Sequence, residues 1–263
     1  MDLLSQIIAK KRLEVETAKR TLPLEQLRAK GLDVRTNAKL HALREVLNGN
    51  DAINIIAEFK RRSPSKGMIR ENADAAIIAR SYKSAGAAAI SVLTEENYFH
   101  GSLNDLRAVR EVVSIPILRK DFIFDEYQVY ESAEAGADAL LLIVAALDDD
   151  TLTRLRRLTE DELGMDALVE VHTREELERA VANGAKLIGV NNRDLRTFNV
   201  STETSAELAQ FAPLDAVLVS ESGLDPLEIG KLRRYGYKGF LVGEALMRAP
   251  DTERQLRRFR GEN

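Results

Sequence analysis

The chain has 263 residues, enough for one large α/β barrel or for two ordinary domains. Its 44% apolar and 30% charged residues suit a globular fold, and a net charge of −4 argues against a nucleic-acid binder, which would carry a basic excess. There is no apolar run of membrane-spanning length, no secretory signal in MDLLSQIIAKKRLEVE and no Cys to supply a thiolate, and three scattered histidines (His41, His100, His172) do not make a zinc site.

A cytosolic protein is expected, with neither membrane nor nucleic acid as partner. The first 50 or so residues form an extension. Residues 2–18 read as an amphipathic helix, with Leu4, Ile7, Ile8, Val15 and Ala18 on one face. By pattern alone this helix closes the bottom of the following fold; a lid beside a substrate is the competing reading.

Eight short apolar runs follow: INIIAEF (53–59), AAISVL (88–93), IPIL (115–118), ADALLLIV (137–144), ALVEV (167–171), KLIGV (186–190), AVLVS (216–220) and GFLVG (239–243). Their near-continuous Val, Ile, Leu and Ala content suits parallel strands buried on both faces. Helical patterns lie between them, among them NADAAIIARSYKSAG, SLNDLRAVREVV, DEYQVYESAEAG, LDDDTLTRLRRLTEDELG, TREELERAVANG and DPLEIGKLRRYG. Asn, Asp, Ser or Thr opens several of these, and Gly closes several. Alternating strands and helices predict a parallel α/β fold, and eight such units favour closure into a (β/α)8, or TIM, barrel. The expected organisation is a single domain over residues 1–263, with 1–50 as an N-terminal helical extension. A doubly wound open sheet is the alternative, and it lacks a G-x-G-x-x-G after the first strand.

Active residues of such barrels follow the strands. The first strand ends Glu58-Phe59-Lys60, and alternation puts Glu58 and Lys60 on one side, costly inside a barrel mouth unless paired or used. The basic, serine-containing loop after it, with Ser63, suits an anion. After the second strand, the loop Asn97–Ser102 offers aromatic walls for a ring; His100 reads as loop packing. Lys120 follows the buried Leu118 by two and points inward, where burial would lower its pKa towards neutrality and make it a general acid. A Lys120–Asp121 surface pair is the bland alternative. Glu170 shares the parity of Leu168 and is a candidate general base, whereas His172 reads as structural, capping or positioning the next helix. Asn191 is an amide that must be hydrogen-bonded if buried, and Arg193 either holds an anion or pairs with Asp194. Ser220-Glu221-Ser222-Gly223 and Val242-Gly243-Glu244 place small residues after the seventh and eighth strands, the usual phosphate cradle of these barrels. Two amines, three carboxylates and an amide around a phosphate site equip acid–base chemistry on a sugar phosphate. Residue types leave isomerisation, aldol chemistry, ring closure and a Schiff-base lysine open.

The stretches IIAEFKRRSPSKG, SVLTEENYF, LRKDFI, LVEVHT, GVNNRDL, SESG and LVGEALMR, in this order over residues 55–248, resemble the indole-3-glycerol phosphate synthase family of tryptophan biosynthesis. The resemblance implies ring closure, decarboxylation and dehydration of 1-(2-carboxyphenylamino)-1-deoxyribulose 5-phosphate, with no cofactor and no metal. It makes Lys120 the general acid, Glu170 the general base of the dehydration, and Lys60 the contact for the substrate carboxylate, sharing acid duty. Glu58 and Asn191 orient these groups, and Glu221 matches an active-site position. Ser63, Arg193, Ser222, Gly223, Gly243 and Glu244 fall on substrate and phosphate contacts. Glu244 stands where a small residue is common, and a carboxylate there repels a phosphate. The resemblance also draws the N-terminal extension into the substrate site, and implies a monomer with at most weak association with other enzymes of the pathway. The rival readings are a phosphoribosyl isomerase-type barrel, whose acid–base pair often uses Cys or Asp with Asp, and a catalytically silent phosphate-binding barrel.

Overall fold

The computed structural model describes residues 3–49, 51–194 and 197–262. Asp2, at the start of the expected first helix, and Leu195, at the end of GVNNRDL, lie outside them. Eight parallel strands close a barrel: β1 (Asn54–Phe59), β2 (Ala89–Leu93), β3 (Ile117–Lys120), β4 (Ala139–Ile143), β5 (Asp166–Val171), β6 (Leu187–Asn191), β7 (Val217–Glu221) and β8 (Gly239–Val242). Each strand pairs with the next in sequence, and β8 closes the ring onto β1, Ile56 opposite Leu241. A two-stranded ribbon, Arg62–Ser63 with Gly67–Met68, stands on the loop after β1. The third strand runs beyond the expected run to Lys120, so that Leu93 lies opposite Lys120 in the ladder.

The helices are α1 (Leu3–Thr21), α2 (Leu24–Arg35), α3 (Ala42–Asn48), α4 (Ala75–Ser84), α5 (Leu103–Val112), α6 (Glu126–Glu134), α7 (Asp149–Arg157), α8 (Arg174–Ala182), α9 (Glu203–Leu208), α10 (Pro226–Leu232), α11 (Glu244–Met247) and α12 (Thr252–Phe259). The expected N-terminal caps are in place: Ser102, Asp125, Asp148, Thr173 and Asp225 each accept a backbone N–H of the first turn. No helix among the described residues is long and apolar enough to cross a membrane.

The pleat sorts the strands into two cores. Ile55, Ala57, Phe59, Val169 and Val171 face the helices. Ile56, Leu118, Leu141, Leu168, Leu187, Val219 and Leu241 fill the barrel together with Leu43 and Leu47 of α3. This assigns the bottom plug to α3. The Asn54 amide donates to the Leu47 carbonyl at 3.1 Å, and the Arg44 N–H donates to Asp166, at the start of β5, at 2.9 Å. Leu47→Ala is therefore expected to destabilise the fold by about 2–5 kcal/mol, read by denaturant unfolding, through a cavity far from the barrel mouth. A loss below about 1 kcal/mol would contradict the plug.

The expectation that α1 closes the bottom is thereby corrected. This helix lies across the mouth, its buried Ile7 facing the cavity with Leu3 and Leu4. Charge fixes it there: Lys11 Nζ is 3.2 Å from Asp121, Lys19 donates to Asp125 at 2.8 Å, and Arg12 stacks over the Phe124 ring. An apolar face fits either end of a barrel equally well, so its periodicity carries no information about which end it covers.

Candidate active site

At the C-terminal strand ends a cavity of about 560 Å³ opens. Glu58, Lys60, Ser63, Lys120, Glu170, Asn191, Arg193, Glu221, Ser222, Gly223, Gly243 and Glu244 all line it, so the structure gathers every expected site residue in one place.

Lys120 is the hub. Its ammonium donates to Glu170 Oε2 at 3.0 Å and to Glu221 Oε2 at 2.8 Å. The bland Lys120–Asp121 pair is not formed; Asp121 takes Lys11, Arg119 and the Thr94 hydroxyl instead. The expected fall of the Lys120 pKa is overturned as well. Burial does lower it, but Glu170, Glu221 and Glu58 outweigh burial and hold the ammonium above its ordinary range. Burial raises Glu170, yet Lys120 and His172 pull it well below the usual carboxylate range. Glu221 goes the other way. Burial and the neighbouring Glu170 charge, only partly opposed by Lys120, push it up to about 7. Two carboxylates on one amine thus differ in basicity because, among the described residues, Glu170 has a second cation, His172, beside it and Glu221 does not.

Lys60 pairs with Glu58 across the end of β1. Asn191 Oδ1 accepts the Arg193 N–H at 3.0 Å and the Ser222 hydroxyl at 2.9 Å, tying the loops after β6 and β7 together. The Arg193 guanidinium donates to the Phe198 carbonyl at 3.1 Å, so it is steered by its own loop. Ser222 and Gly223 adopt successive left-handed conformations, φ 68° and 71°, which turn the chain sharply after β7. The Glu244 carboxylate accepts from Arg248 Nε at 3.0 Å, which offsets the repulsion expected towards a phosphate.

Two glycines give the carboxylates their room. A Cβ at Gly189 would collide with Glu221 Oε1, and a Cβ at Gly243 would collide with Glu58 Oε2. Gly243 has a negative φ of −122°, so the close approach of Glu58 is the clearest demand for glycine there. Gly243→Ala is expected to push Glu58 off Lys60 and to lower kcat by about 10²-fold in a folded protein. Parental kcat would show that the Glu58–Lys60 geometry does not matter.

Several lining residues escaped the sequence reading. Phe122 joins Leu141 and Ile143 as an apolar wall beside Phe99, whose loop was expected to offer aromatic walls; the two ring centroids lie 6.2 Å apart. Arg248 sits one turn beyond Glu244. The parity of Leu141 and Ile143 was visible, but apolar side chains at a barrel mouth look like core. The expected packing of His100 is not seen: its side chain is exposed on the loop, with Nε2 3.5 Å from Arg62.

The fold and this cluster define the class: a (β/α)8-barrel enzyme with an acid–base site at the C-terminal strand ends. A family model described as indole-3-glycerol phosphate synthase matches residues 4–259. Relatives named indole-3-glycerol phosphate synthase include those of Bacteroides thetaiotaomicron, 46% identical over 98% of this chain and 97% of the relative, and of Nocardioides sp., 49% identical over 99% of both. The chain belongs to the indole-3-glycerol phosphate synthase family. Solved structures similar in fold alone include a 3-hexulose-6-phosphate synthase, TM-score 0.65 and 15% identity, covering 80% of this chain and 99% of that one.

Proposed function

We propose that the protein closes the indole ring in tryptophan biosynthesis, converting 1-(2-carboxyphenylamino)-1-deoxyribulose 5-phosphate into indole-3-glycerol phosphate, CO₂ and water. The observation that carries the roles of its residues is the Lys120 ammonium clamped between Glu170 and Glu221 at the base of a cavity walled by Phe99 and Phe122. The ring carbon bearing the carboxylate attacks the ribulose carbonyl carbon. The carbonyl π pair moves to oxygen, and Lys120 supplies the proton. An ammonium of raised pKa is no obstacle, because the alkoxide that forms is a stronger base than the amine. CO₂ then leaves, its bond pair restoring the aromatic ring. Finally hydroxide departs with a proton from a lysine, while Glu170 removes a carbon-bound proton.

The acid step primes the base. While Lys120 is charged, it depresses Glu170; once its proton is given up, that attraction ends and Glu170 becomes the stronger base. Lys60, beside Glu58, receives the substrate carboxylate. The phosphate goes to the Ser222-Gly223 turn after β7 and to Gly243-Glu244, where α11 begins and its first backbone N–H groups have no intrahelical acceptor. Anchoring that end brings the two reacting carbons together and lowers the entropic cost of closure. We carry over from the resemblance a single-domain monomer that works in the cytosol without a cofactor.

The test is turnover of this substrate, followed by growth of indole fluorescence without added metal or cofactor. Well-folded protein with no signal would overturn the reading.

A further inference from the structure

The sequence reading gave His172 a structural part, and it does not line the cavity. Its surroundings are nevertheless built around Glu170. The imidazole Nε2 lies 3.3 Å from Glu170 Oε1, the carboxylate oxygen that Lys120 does not engage. On its other side Nδ1 meets Glu176 Oε2 at 3.1 Å, and the same oxygen accepts the His172 backbone N–H at 2.7 Å. Glu176 belongs to the first turn of α8, whose N-terminus Thr173 caps. The ring is only 11% exposed. Nε2 is buried without an aligned hydrogen-bond acceptor, although a carboxylate oxygen stands at ion-pair distance. A small rotation of the Glu170 carboxylate would align the two.

We propose that His172 is a positioning residue for Glu170: clamped by Glu176, it presents Nε2–H to Oε1 and holds the carboxylate for proton removal when Lys120 turns to the substrate. The proposal rests on the reading of Glu170 as the base. The clamp also keeps the ring cationic. Burial lowers the His172 pKa, but Glu170 and Glu176 overcome this and raise it to about 10, so the ring donates from both nitrogens at neutral pH. The other charges around the pair are Lys120 on β3, Glu221 on β7, and Glu58 with Lys60 on β1. Without His172, Glu170 would depend on Lys120 alone, the group that gives its proton away during the reaction.

The experiment compares His172→Ala, His172→Asn, Glu170→Gln and the Glu170→Gln/His172→Ala double variant in kcat, KM and pH profile. In His172→Ala, kcat should fall by about tenfold with KM within about twofold. The acid limb should move to higher pH, because a cation that lowers the Glu170 pKa is gone. His172→Asn, which can still donate to Oε1, should recover part of kcat but not the position of the limb. In the Glu170→Gln background His172→Ala should cost nothing more, since it acts only through that carboxylate. Parental kcat and limb in His172→Ala, or an undiminished further loss in the double variant, would overturn the proposal. If His172→Ala does not fold, His172→Asn decides by the shift of its limb. Near-parental turnover in Glu170→Gln would instead remove the assignment of the base itself, so the two failures are distinguishable.

Discussion

Lys120→Ala is expected to lower kcat by about 10³- to 10⁴-fold while KM stays within a few-fold. Among the described residues its ammonium is the only amine that touches both Glu170 and Glu221, and in the proposed chemistry it meets the oxygen on which charge develops. In the proposed reading substrate affinity rests elsewhere, on the turns after β7 and β8, the Lys60 contact and the aromatic wall. An interaction realised mainly in the transition state shows itself in kcat rather than KM. The fold should survive the loss. Two buried carboxylates left without their shared cation repel each other, but Glu221 already sits near neutrality and takes up a proton instead of remaining charged. Steady-state kinetics by indole fluorescence, with circular dichroism to verify folding, checks both parts. A kcat within tenfold of the parent would remove Lys120 as the central acid and favour Lys60. A large rise in KM with kcat unchanged would make Lys120 a binding group.

How much of this was legible in the sequence depended on the physics behind each signal. The strands were legible because parallel strands covered on both sides need continuous apolar runs, and parity along each run then gave the inward direction of Glu58, Lys60, Lys120 and Glu170 correctly. Strand ends were less exact, as at β3, because the polar residues that finish a catalytic strand look like loop. Helices α2 and α3 were covered only by the expected helical extension over residues 1–50, and α9, α11 and α12 were not singled out. The last two are only 4 and 8 residues long, too short for a stripe of several turns to mark them. Pattern alone misplaced α1, which the resemblance put correctly beside the site, because the ion pair of Lys11 with Asp121 joins residues 110 positions apart and has no local signature. The direction of the Lys120 shift was misjudged for a related reason. Burial follows from parity, but the three carboxylates that outweigh it come from three other strands. Gly189 and Gly243 are the converse case. Each read as a small residue in or after a strand, and only the structure shows the carboxylate that fills the space where a Cβ would stand.

Glu170→Gln is expected to reduce kcat by about 10²- to 10⁴-fold, again with little change in KM. The amide has nearly the same shape and can still accept from Lys120, so the site should keep its geometry while losing the group that removes the proton. A second consequence follows from the charges. Glu221 is raised by burial and in part by the neighbouring Glu170 carboxylate, while Lys120 lowers it. In the parent, a group titrating near 7 should bend the pH–rate profile, since its ionisation changes the hold on Lys120. With Glu170 neutral, the repulsion on Glu221 disappears and Lys120 turns wholly to it, so the bend should move to lower pH. Stability should report the same event. A carboxyl whose pKa is raised on folding costs stability as pH climbs from the ordinary carboxylate range through its folded value, because the unfolded chain releases its proton first. Denaturant unfolding between pH 4.5 and 7 should therefore show a smaller stability loss in Glu170→Gln than in the parent. If turnover falls but the bend and the stability difference stay where they were, Glu170 is the base and Glu221 titrates independently of it. If turnover stays within tenfold of the parent, the proton is removed by another carboxylate, and Glu221, poised near neutrality on the same lysine, is the next to replace.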